Sequence, residues 1–298
     1  MGRRRLLIAA TAAGAALLLV WPGGRERAAL LAGKLGGSVS QPWSEVLVGL
    51  APWSMRSRVR AWLGPDAKAW VVALNDVQPT GRREVLFEGP TPATLLLNVH
   101  LSVLPAGTMP HPPHFHDEEE LLIPLVGEAD IVRGAAFDAP DLETERVAPG
   151  DVVYHSARLP HTIRAGEAAP ARYLVLRWLG RGGPGGGAGL GRTLDLRPDW
   201  AALEADPTEK KRVAMDEPTA SLARLHVHTT LLGPGASTPE HVDEHDTVLL
   251  LLEGHIEMIG QTVTAPSVVF NPAYQPHSFR NAGDQPARYV VVELDSGA

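Results

Sequence analysis

Chemically active side chains are concentrated in the stretch "HPPHFHDEEELLIPLVG", residues 111–127, which then turns apolar. In an extended chain residues i and i+2 point to the same side, so we expect His114 and His116 to project together and Glu120 to return to that side. A further imidazole, His161, follows a Pro-Gly-Asp turn and an apolar run, and could reach this group across a closed sheet. Imidazoles and a carboxylate form a mixed nitrogen and oxygen set that suits one divalent ion of iron, manganese, nickel or zinc.

The sequence has no cysteine, so thiolate ligands are excluded and any metal must be held by nitrogen and oxygen. Three acids beside the pair, Asp117, Glu118 and Glu119, are expected in a solvated turn rather than as ligands, although one could orient an imidazole. Proton transfer needs another group near the metal, and three side chains are candidates for that role: Glu119, Tyr154 and His155.

The elements that must position these side chains are short strands. Beyond residue 70 the chain shows short apolar runs bounded by glycine and proline, such as "TLLLNVHLSVL", "LLIPLV", "DVVYH" and "ARYLVLRWL". The 30 glycines, the 26 prolines and the low aromatic content favour many short strands joined by turns over long helices.

The strand pattern occurs twice. "VHLSVLPAG" at residues 99–107 matches "VHTTLLGPG" at 227–235, and "PHTIRAGEAAPARYLVL" at 160–176 matches "PHSFRNAGDQPARYVVV" at 276–292. Self-similarity over a whole domain indicates duplication, so we predict two copies of one β domain.

The spacing His-x-His-x3-Glu-x6-Gly, followed by a Pro-Gly-Asp turn and Pro-His, resembles the motifs of the cupin superfamily. Because the pattern is duplicated, the chain resembles a two-domain cupin, or bicupin. The resemblance implies an all-β fold of two jelly-roll barrels, at residues 76–180 and 193–298, joined by a glycine-rich linker at 181–192. It also implies one metal ion in the mouth of the first barrel, with four ligands: His114, His116, Glu120 and His161.

The second copy differs at these positions. His241 and His277 remain, but Asp243 replaces the second histidine and Thr247 replaces the glutamate. A facial set of His241, Asp243 and His277 is conceivable for iron. The expectation we favour is a structural partner that has lost its metal.

The amino terminus has a different composition. Residues 1–24, "MGRRRLLIAATAAGAALLLVWPGG", have a basic start, an uncharged run and a Pro-Gly-Gly break, and they resemble a twin-arginine export signal. We expect export to the periplasm or the extracellular space, with an uncleaved membrane anchor as the alternative. Residues 25–75 are predicted to be a helical segment that either contacts a membrane surface or packs on the domain that follows.

The net charge of −7, with the basic residues concentrated near the amino terminus, makes the body of the protein a poor partner for nucleic acid. We therefore expect a small-molecule partner. The leading hypothesis is a metal-dependent enzyme, an oxidoreductase such as a dioxygenase or a lyase such as a decarboxylase, acting on a small oxygen-rich molecule. The alternatives are a non-catalytic bicupin that binds metal or a small ligand, and a sugar-binding module without metal. Edge pairing between barrels, common in the family, makes a homodimer plausible.

Overall fold

The computed structural model describes residues 69–79, 82–134, 142–181, 192–195 and 210–297. The predicted signal at residues 1–24 and most of the predicted helical segment at 25–75 lie outside these ranges. Where that segment is described, the prediction is wrong in part, because Trp70–Ala73 forms a strand, β1, which precedes a short 3-10 helix at Leu74–Asp76. In the portion of the chain that is described, no helix is long and apolar enough to cross a membrane.

Within the residues described, each copy contributes eight strands to its own barrel, and nearly all of this part of the chain is β structure. The first copy supplies β2 (Arg83–Gly89), β3 (Thr94–Leu104), β4 (Glu119–Val126), β5 (Ala129–Arg133), β6 (Glu143–Val147), β7 (Asp151–His155), β8 (His161–Ala165) and β9 (Ala171–Gly180). Strand β10 (Arg192–Asp195) follows. The second copy supplies β11 (Lys210–Glu217), β12 (Arg224–Leu232), β13 (Asp246–Glu253), β14 (His255–Met258), β15 (Gln261–Thr264), β16 (Ser267–Asn271), β17 (Arg280–Asn281) and β18 (Ala287–Asp295).

The two copies have the same topology. Each has a six-stranded antiparallel sheet, ordered β10-β7-β4-β9-β3-β2 in the first and β1-β16-β13-β18-β12-β11 in the second. A three-stranded sheet, β6-β5-β8 or β15-β14-β17, closes each barrel. The predicted all-β fold of two jelly-roll barrels is therefore confirmed.

The terminal strands are exchanged between the barrels. β1, which precedes the first copy in sequence, pairs with β16 of the second barrel, with Trp70 opposite Phe270. Conversely, β10 precedes the second copy and pairs with β7 of the first barrel, with Arg192 opposite Tyr154. The large sheet of each barrel is thus completed by a four-residue strand that precedes the other copy in the sequence.

Strand alternation gives each large sheet two buried faces. On β4, Leu121 belongs to an apolar core shared with the second barrel, whereas Leu122 points into the first barrel. On β13, Val248 faces the shared core and Leu249 faces the interior of the second barrel. Each fully buried leucine contributes about 1.5–3 kcal/mol. The large sheets therefore pack back to back, and polar residues that face inward line two separate barrel interiors.

The glycine that ends the histidine motif is required by geometry. Gly127 has φ +73°, in the left-handed region, and a Cβ atom there would lie 2.3 Å from the Pro170 carbonyl oxygen. Its counterpart Gly254 has φ +86° and would place a Cβ atom 2.9 Å from the Ala287 Cα atom. Only glycine fits such a turn without strain, which explains its fixed distance from the ligand positions.

Candidate metal centre

Three elements bring the predicted ligands to one end of the first barrel. Glu120 lies on β4 and His161 begins β8, whereas His114 and His116 precede β4 in a loop. The strand geometry expected for the two histidines is therefore wrong apart from a single bridge, in which the His114 and His161 backbones exchange two hydrogen bonds of 3.1 and 2.9 Å. This bridge fixes the motif loop against the strand that carries the third histidine.

Three of the four predicted ligands form one compact group. One ligand atom from each of His116, Glu120 and His161 lies within 4.8 Å of the others. The Nε2 atoms of His116 and His161 are 3.5 and 3.4 Å from the Glu120 carboxylate oxygens. Glu120 and His161 are almost completely buried. This is a spacing that one metal ion can bridge, with the donor set that suits a divalent transition metal.

Backbone carbonyls determine which ring nitrogens carry protons. The Nδ1 atom of His116 lies 2.8 Å from the Glu118 carbonyl oxygen, and that of His161 lies 2.7 Å from the Leu159 carbonyl oxygen. A carbonyl only accepts, so Nδ1 of each ring carries a proton and Nε2 is the ring nitrogen that faces Glu120. A metal ion held between these groups would be bound by the two Nε2 atoms and the Glu120 carboxylate.

The Glu120 carboxyl is anionic in this environment. Burial by itself would raise its pKa, but contacts with His116, His155 and His161 and the charge of Arg177 hold the pKa of Glu120 well below its usual value. A buried anionic carboxylate between imidazole nitrogens is a donor set that suits a cation, so the residues present fit a metal ion.

His114, the fourth predicted ligand, lies beside the compact group. Its ring centroid is 5.7 Å from that of His116 and 5.6 Å from that of His161. Burial first, and then the neighbouring His111, His161 and His116, lower the pKa of His114 to about 4, so the ring is neutral near pH 7. Its buried Nδ1 atom makes no hydrogen bond within the described residues.

Two further side chains contact the Glu120 carboxylate. His155, one of the predicted acid–base candidates, stacks on His161 at a centroid distance of 4.0 Å and places Nδ1 3.2 Å from Oε1 of Glu120. Burial is the main reason that the pKa of His155 falls to about 4. Arg177, which sequence reasoning missed, lies directly across from Glu120 on β9 and donates from Nε to Oε2 at 2.6 Å.

The group opens into a cavity of about 270 Å³ inside the first barrel. Three arginines line it, and apolar side chains such as Leu122 and Val175 supply its dry wall. Burial lowers the pKa of His100, on the same wall, to about 3, so this imidazole is neutral. The cavity lining includes Arg82, Arg83, His100, His111, His114, Glu120, Leu122, His155, His161, Tyr173, Val175 and Arg177.

Comparison with known proteins agrees with the fold. A family model described as the cupin domain matches residues 100–177 and 228–293, one stretch in each barrel. The chain is a two-domain cupin. Oxalate decarboxylase from Bacillus subtilis has a TM-score of 0.53 at 16% sequence identity, over 76% of this chain and 77% of that one. AerE from Microcystis aeruginosa has a TM-score of 0.54 at 15% identity, over 76% of this chain and 97% of that one.

A third solved structure concerns the Mn(II) centres of the Bacillus subtilis oxalate decarboxylase, with a TM-score of 0.52 at 16% identity over 76% of this chain and 77% of that one. At such identities these likenesses show the fold. No curated protein sequence matches the chain.

Two of the three predicted acid–base candidates face away from this bicupin's cavity. Glu119 and Tyr154 are fully buried on the face of the sheet that packs against the second barrel, because neighbouring strand residues alternate in direction. The Tyr154 hydroxyl donates to Glu119 at 2.5 Å. Burial, and then the Glu119 charge, raise the pKa of Tyr154 far above its usual value. The expected role in proton transfer is therefore wrong for both, and the solvated turn expected for Glu119 is wrong because this residue begins β4 and is fully buried.

Glu119 instead joins the two barrels. It accepts hydrogen bonds from Trp178 Nε1 at 3.1 Å, from the Thr219 hydroxyl at 2.8 Å and from the backbone N–H groups of Ala220 and Ser221 at 3.2 and 3.1 Å. Residues 219–221 form the turn between β11 and β12 of the second barrel. A buried carboxylate with this many donors fixes the position of that turn.

The family position in the second barrel holds a smaller group. The Nε2 atoms of His241 and His277 lie 3.7 and 3.3 Å from Asp243 Oδ2, and the three residues also form one cluster of close ligand atoms. Their Nδ1 atoms lie 2.9 and 3.0 Å from backbone carbonyl oxygens. At the position of Glu120, Thr247 has a buried hydroxyl without a hydrogen bond in the part of the chain that is described. The structure thus brings together the facial set named from the sequence.

Proposed function

We propose that the first barrel binds one divalent transition metal and acts with it on a small, oxygen-rich anion. His116, Glu120 and His161 would hold the ion, with His114 as the fourth ligand. When bound, such an ion can polarise a carboxylate or carbonyl, activate water or bind dioxygen. The observation that carries the proposal is the pair of Nε2 atoms directed at the Glu120 carboxylate from two rings whose protons are held by backbone carbonyls.

The charge of the cavity supports an anionic substrate. Arg82, Arg83 and Arg177 line it, and a guanidinium group can bind a carboxylate through two parallel hydrogen bonds. A volume of about 270 Å³ is near the lower end for ligand pockets and favours a molecule of few heavy atoms. Oxalate, the substrate in the name of one structural neighbour, is the first compound to test.

Metal analysis tests the first half of the proposal. Protein purified without chelators should contain a transition metal, and Glu120→Gln should contain one ion fewer per chain by elemental analysis. His241→Gln is the matched control and should keep the first-barrel ion. If the purified native chain contains no transition metal and takes none up from iron, manganese or zinc solutions, the proposal is wrong.

Turnover assays test the second half. The iron-loaded and manganese-loaded forms would be incubated with oxalate and other small carboxylates, with and without dioxygen, while substrate, carbon dioxide and dioxygen are measured. We expect turnover that disappears in Glu120→Gln and persists in His241→Gln. Dependence on dioxygen would separate oxygenase chemistry from a lyase reaction.

A non-catalytic bicupin that binds metal or a small ligand is the second candidate. The observation in its favour is that only His155 of the three acid–base candidates reaches the cavity. A ligand that raises the melting temperature of the metal-loaded protein, yet is recovered unchanged, would identify a binding protein.

Export remains a prediction for residues 1–24, and we propose a location outside the cytoplasm. Amino-terminal sequencing of the secreted or membrane fraction tests it: a chain that begins after residue 24 indicates a cleaved signal, and an intact start in the membrane fraction indicates an anchor. The membrane contact and the homodimer likewise stay predictions, to be checked by fractionation and by light scattering.

A further inference from the structure

A second histidine cluster lies in the second barrel, away from the family position. His226 and His228 project inward from β12, and Glu293 projects from the neighbouring β18, directly opposite His226. One ligand atom from each of these residues lies within 4.8 Å of the others. His226 is 4% exposed and His228 5%. All three residues are on paired strands, which hold their positions more firmly than a loop would.

We propose that His226, His228 and Glu293 bind a divalent transition metal, in a site displaced from the family position toward β12. Two imidazoles and a carboxylate are a donor set that binds such ions and leaves coordination positions free for water. This site does not depend on the function proposed for the first barrel.

The partners of the two imidazoles support the assignment. His226 Nδ1 lies 3.2 Å from Asp216 Oδ1, within ion-pair distance but without hydrogen-bond geometry, and a carboxylate at this place favours the proton on Nδ1 and the lone pair on Nε2. That Nε2 atom is buried and has no hydrogen bond to any described residue. His228 Nδ1 is likewise unbonded and lies 3.9 Å from Glu293 Oε1. Metal coordination would satisfy these buried atoms.

The neighbouring arginine leaves one carboxylate oxygen of Glu293 available for an ion. Arg224 donates from Nε to Asp216 Oδ1 at 2.5 Å and from Nη1 to Glu293 Oε2 at 3.0 Å, so Oε1 of Glu293 remains directed toward His228. A third imidazole, His245, places Nε2 3.5 Å from Glu293 Oε2 and could serve as a further ligand. Arg177 contacts Glu120 in the same way at the first-barrel site.

The first barrel shows the same positions without a site. Asn98 and His100 stand where the second copy has His226 and His228, and Glu88 stands opposite Asn98 as Asp216 stands opposite His226. There the side chains satisfy one another: Asn98 donates to Glu88 at 2.5 Å, and His100 Nδ1 lies 2.7 Å from Asn98 Oδ1. At this pair of positions, unbonded ring atoms occur in the second barrel and not in the first, among the residues described.

The carboxylate has also changed strands. In the first barrel Glu120 on β4 faces Arg177 on β9, whereas in the second barrel Thr247 on β13 faces Glu293 on β18. The second barrel thus keeps an inward carboxylate, placed one strand closer to the two histidines on β12.

Zinc binding to the full chain tests this site. In the background of His116→Gln, His161→Gln, His241→Gln and His277→Gln, both family positions are disabled. After dialysis against metal-free buffer, we expect one zinc ion per chain, which is lost on adding His226→Asn or Glu293→Gln. A background without zinc, or zinc that survives both additions, would overturn the proposal.

Single substitutions keep the test independent of how that background folds. His226→Asn introduces the residue found at the equivalent place in the first barrel, and it should lower the zinc content of the otherwise unchanged chain by one ion. Asp216→Asn should weaken zinc binding about 10–100-fold. The matched change Glu88→Gln should leave zinc binding unchanged. An unaltered zinc content and affinity in both His226→Asn and Asp216→Asn would refute the site, whatever happens in the first barrel.

Discussion

The two barrels have the same strand order. The residues on one face of their large sheets have the same role in both copies, whereas those on the other face differ. On the outer face, which packs against the other barrel, Glu119 and its counterpart Asp246 both accept hydrogen bonds from a turn of that other barrel. Asp246 accepts hydrogen bonds from the backbone N–H groups of Ala93 and Ala273, both at 2.9 Å, so it holds the turn of the first barrel as Glu119 holds the turn of the second. Residues that join the barrels have kept their role in both copies.

The inner face has diverged at the very next residue. Glu120, which follows Glu119, is a candidate metal ligand, whereas Thr247, which follows Asp246, is an unbonded hydroxyl among the residues described. Since adjacent strand residues point to opposite faces, each face can change without disturbing the other. The comparison shows how a duplicated fold can retain its assembly while the interior of each barrel acquires different chemistry.

The largest expected effect tests the outer face. Glu119→Gln replaces a buried acceptor of several hydrogen bonds by an amide with only one oxygen, and it should lower the free energy of unfolding by about 3–5 kcal/mol. Urea unfolding of this variant and of Asp246→Asn would measure the loss of stability in each. Asp246→Asn should cost less, about 1–2 kcal/mol, because fewer donors depend on it. Equal losses would mean that the two carboxylates are not distinguished by their partners.

Trp70 on β1 should contribute to the free energy of unfolding by holding this exchanged strand in place. Its ring stacks on Phe87 of the first copy and Phe270 of the second, each at a centroid distance of 5.7 Å. Trp70→Ala should lower the free energy of unfolding by about 2 kcal/mol, because the side chain is only half-buried. Trp70→Phe is the control and should recover most of the loss. Unchanged stability in the alanine variant would show that β1 adds little to the second barrel.

Arg177 should compete with the metal in the first barrel. Its guanidinium holds Glu120 through a charge-assisted hydrogen bond, so Arg177→Gln should tighten zinc binding about 10–100-fold. Isothermal titration with the exposed Arg164→Gln as control would measure the change. Weaker zinc binding in Arg177→Gln would indicate that the arginine positions the carboxylate instead.

The smallest expected effect concerns His155, whose position in the second barrel is occupied by Asn271. His155→Asn should weaken zinc binding by the first barrel about tenfold, because the ring contacts both His161 and Glu120 without being a ligand itself. Equilibrium dialysis would measure the affinity, and the unfolding midpoint would show whether the fold is intact. Complete loss of zinc would make His155 a ligand.

Much of the fold could be predicted because its strands are strongly patterned. The runs "TLLLNVHLSVL" and "DVVYH" coincide with β3 and β7. The exchange of β1 and β10 could not be predicted, because which sheet edge a four-residue strand joins depends on where the other copy lies. The loop conformation of His114–His116 was also missed, since the alternation rule assumes a strand that the Pro-Pro pair before it does not continue.

Part of the candidate metal site could be predicted from the spacing of residues in the sequence. His116, Glu120 and His161 were found by their spacing, and the same alternation that turns Glu120 inward turns Glu119 outward, a signal available in the sequence. Arg177 and Glu293 were missed because each lies in a different strand from the motif, and their importance depends on strand register. The sequence "LHVH" at 225–228 did place two histidines on one side of a strand, but its carboxylate partner comes from β18.

Because β1 and β10 are exchanged, neither barrel is complete when the two copies are expressed as separate fragments. A fragment cut at the glycine-rich segment would carry the closing strand of its absent neighbour and lack its own, leaving β7 or β16 as an open edge that invites pairing with another molecule. Two such fragments mixed together should complete each other's sheets, because each carries the edge strand that the other lacks. Co-expression of both halves is therefore the sensible way to study either one in isolation.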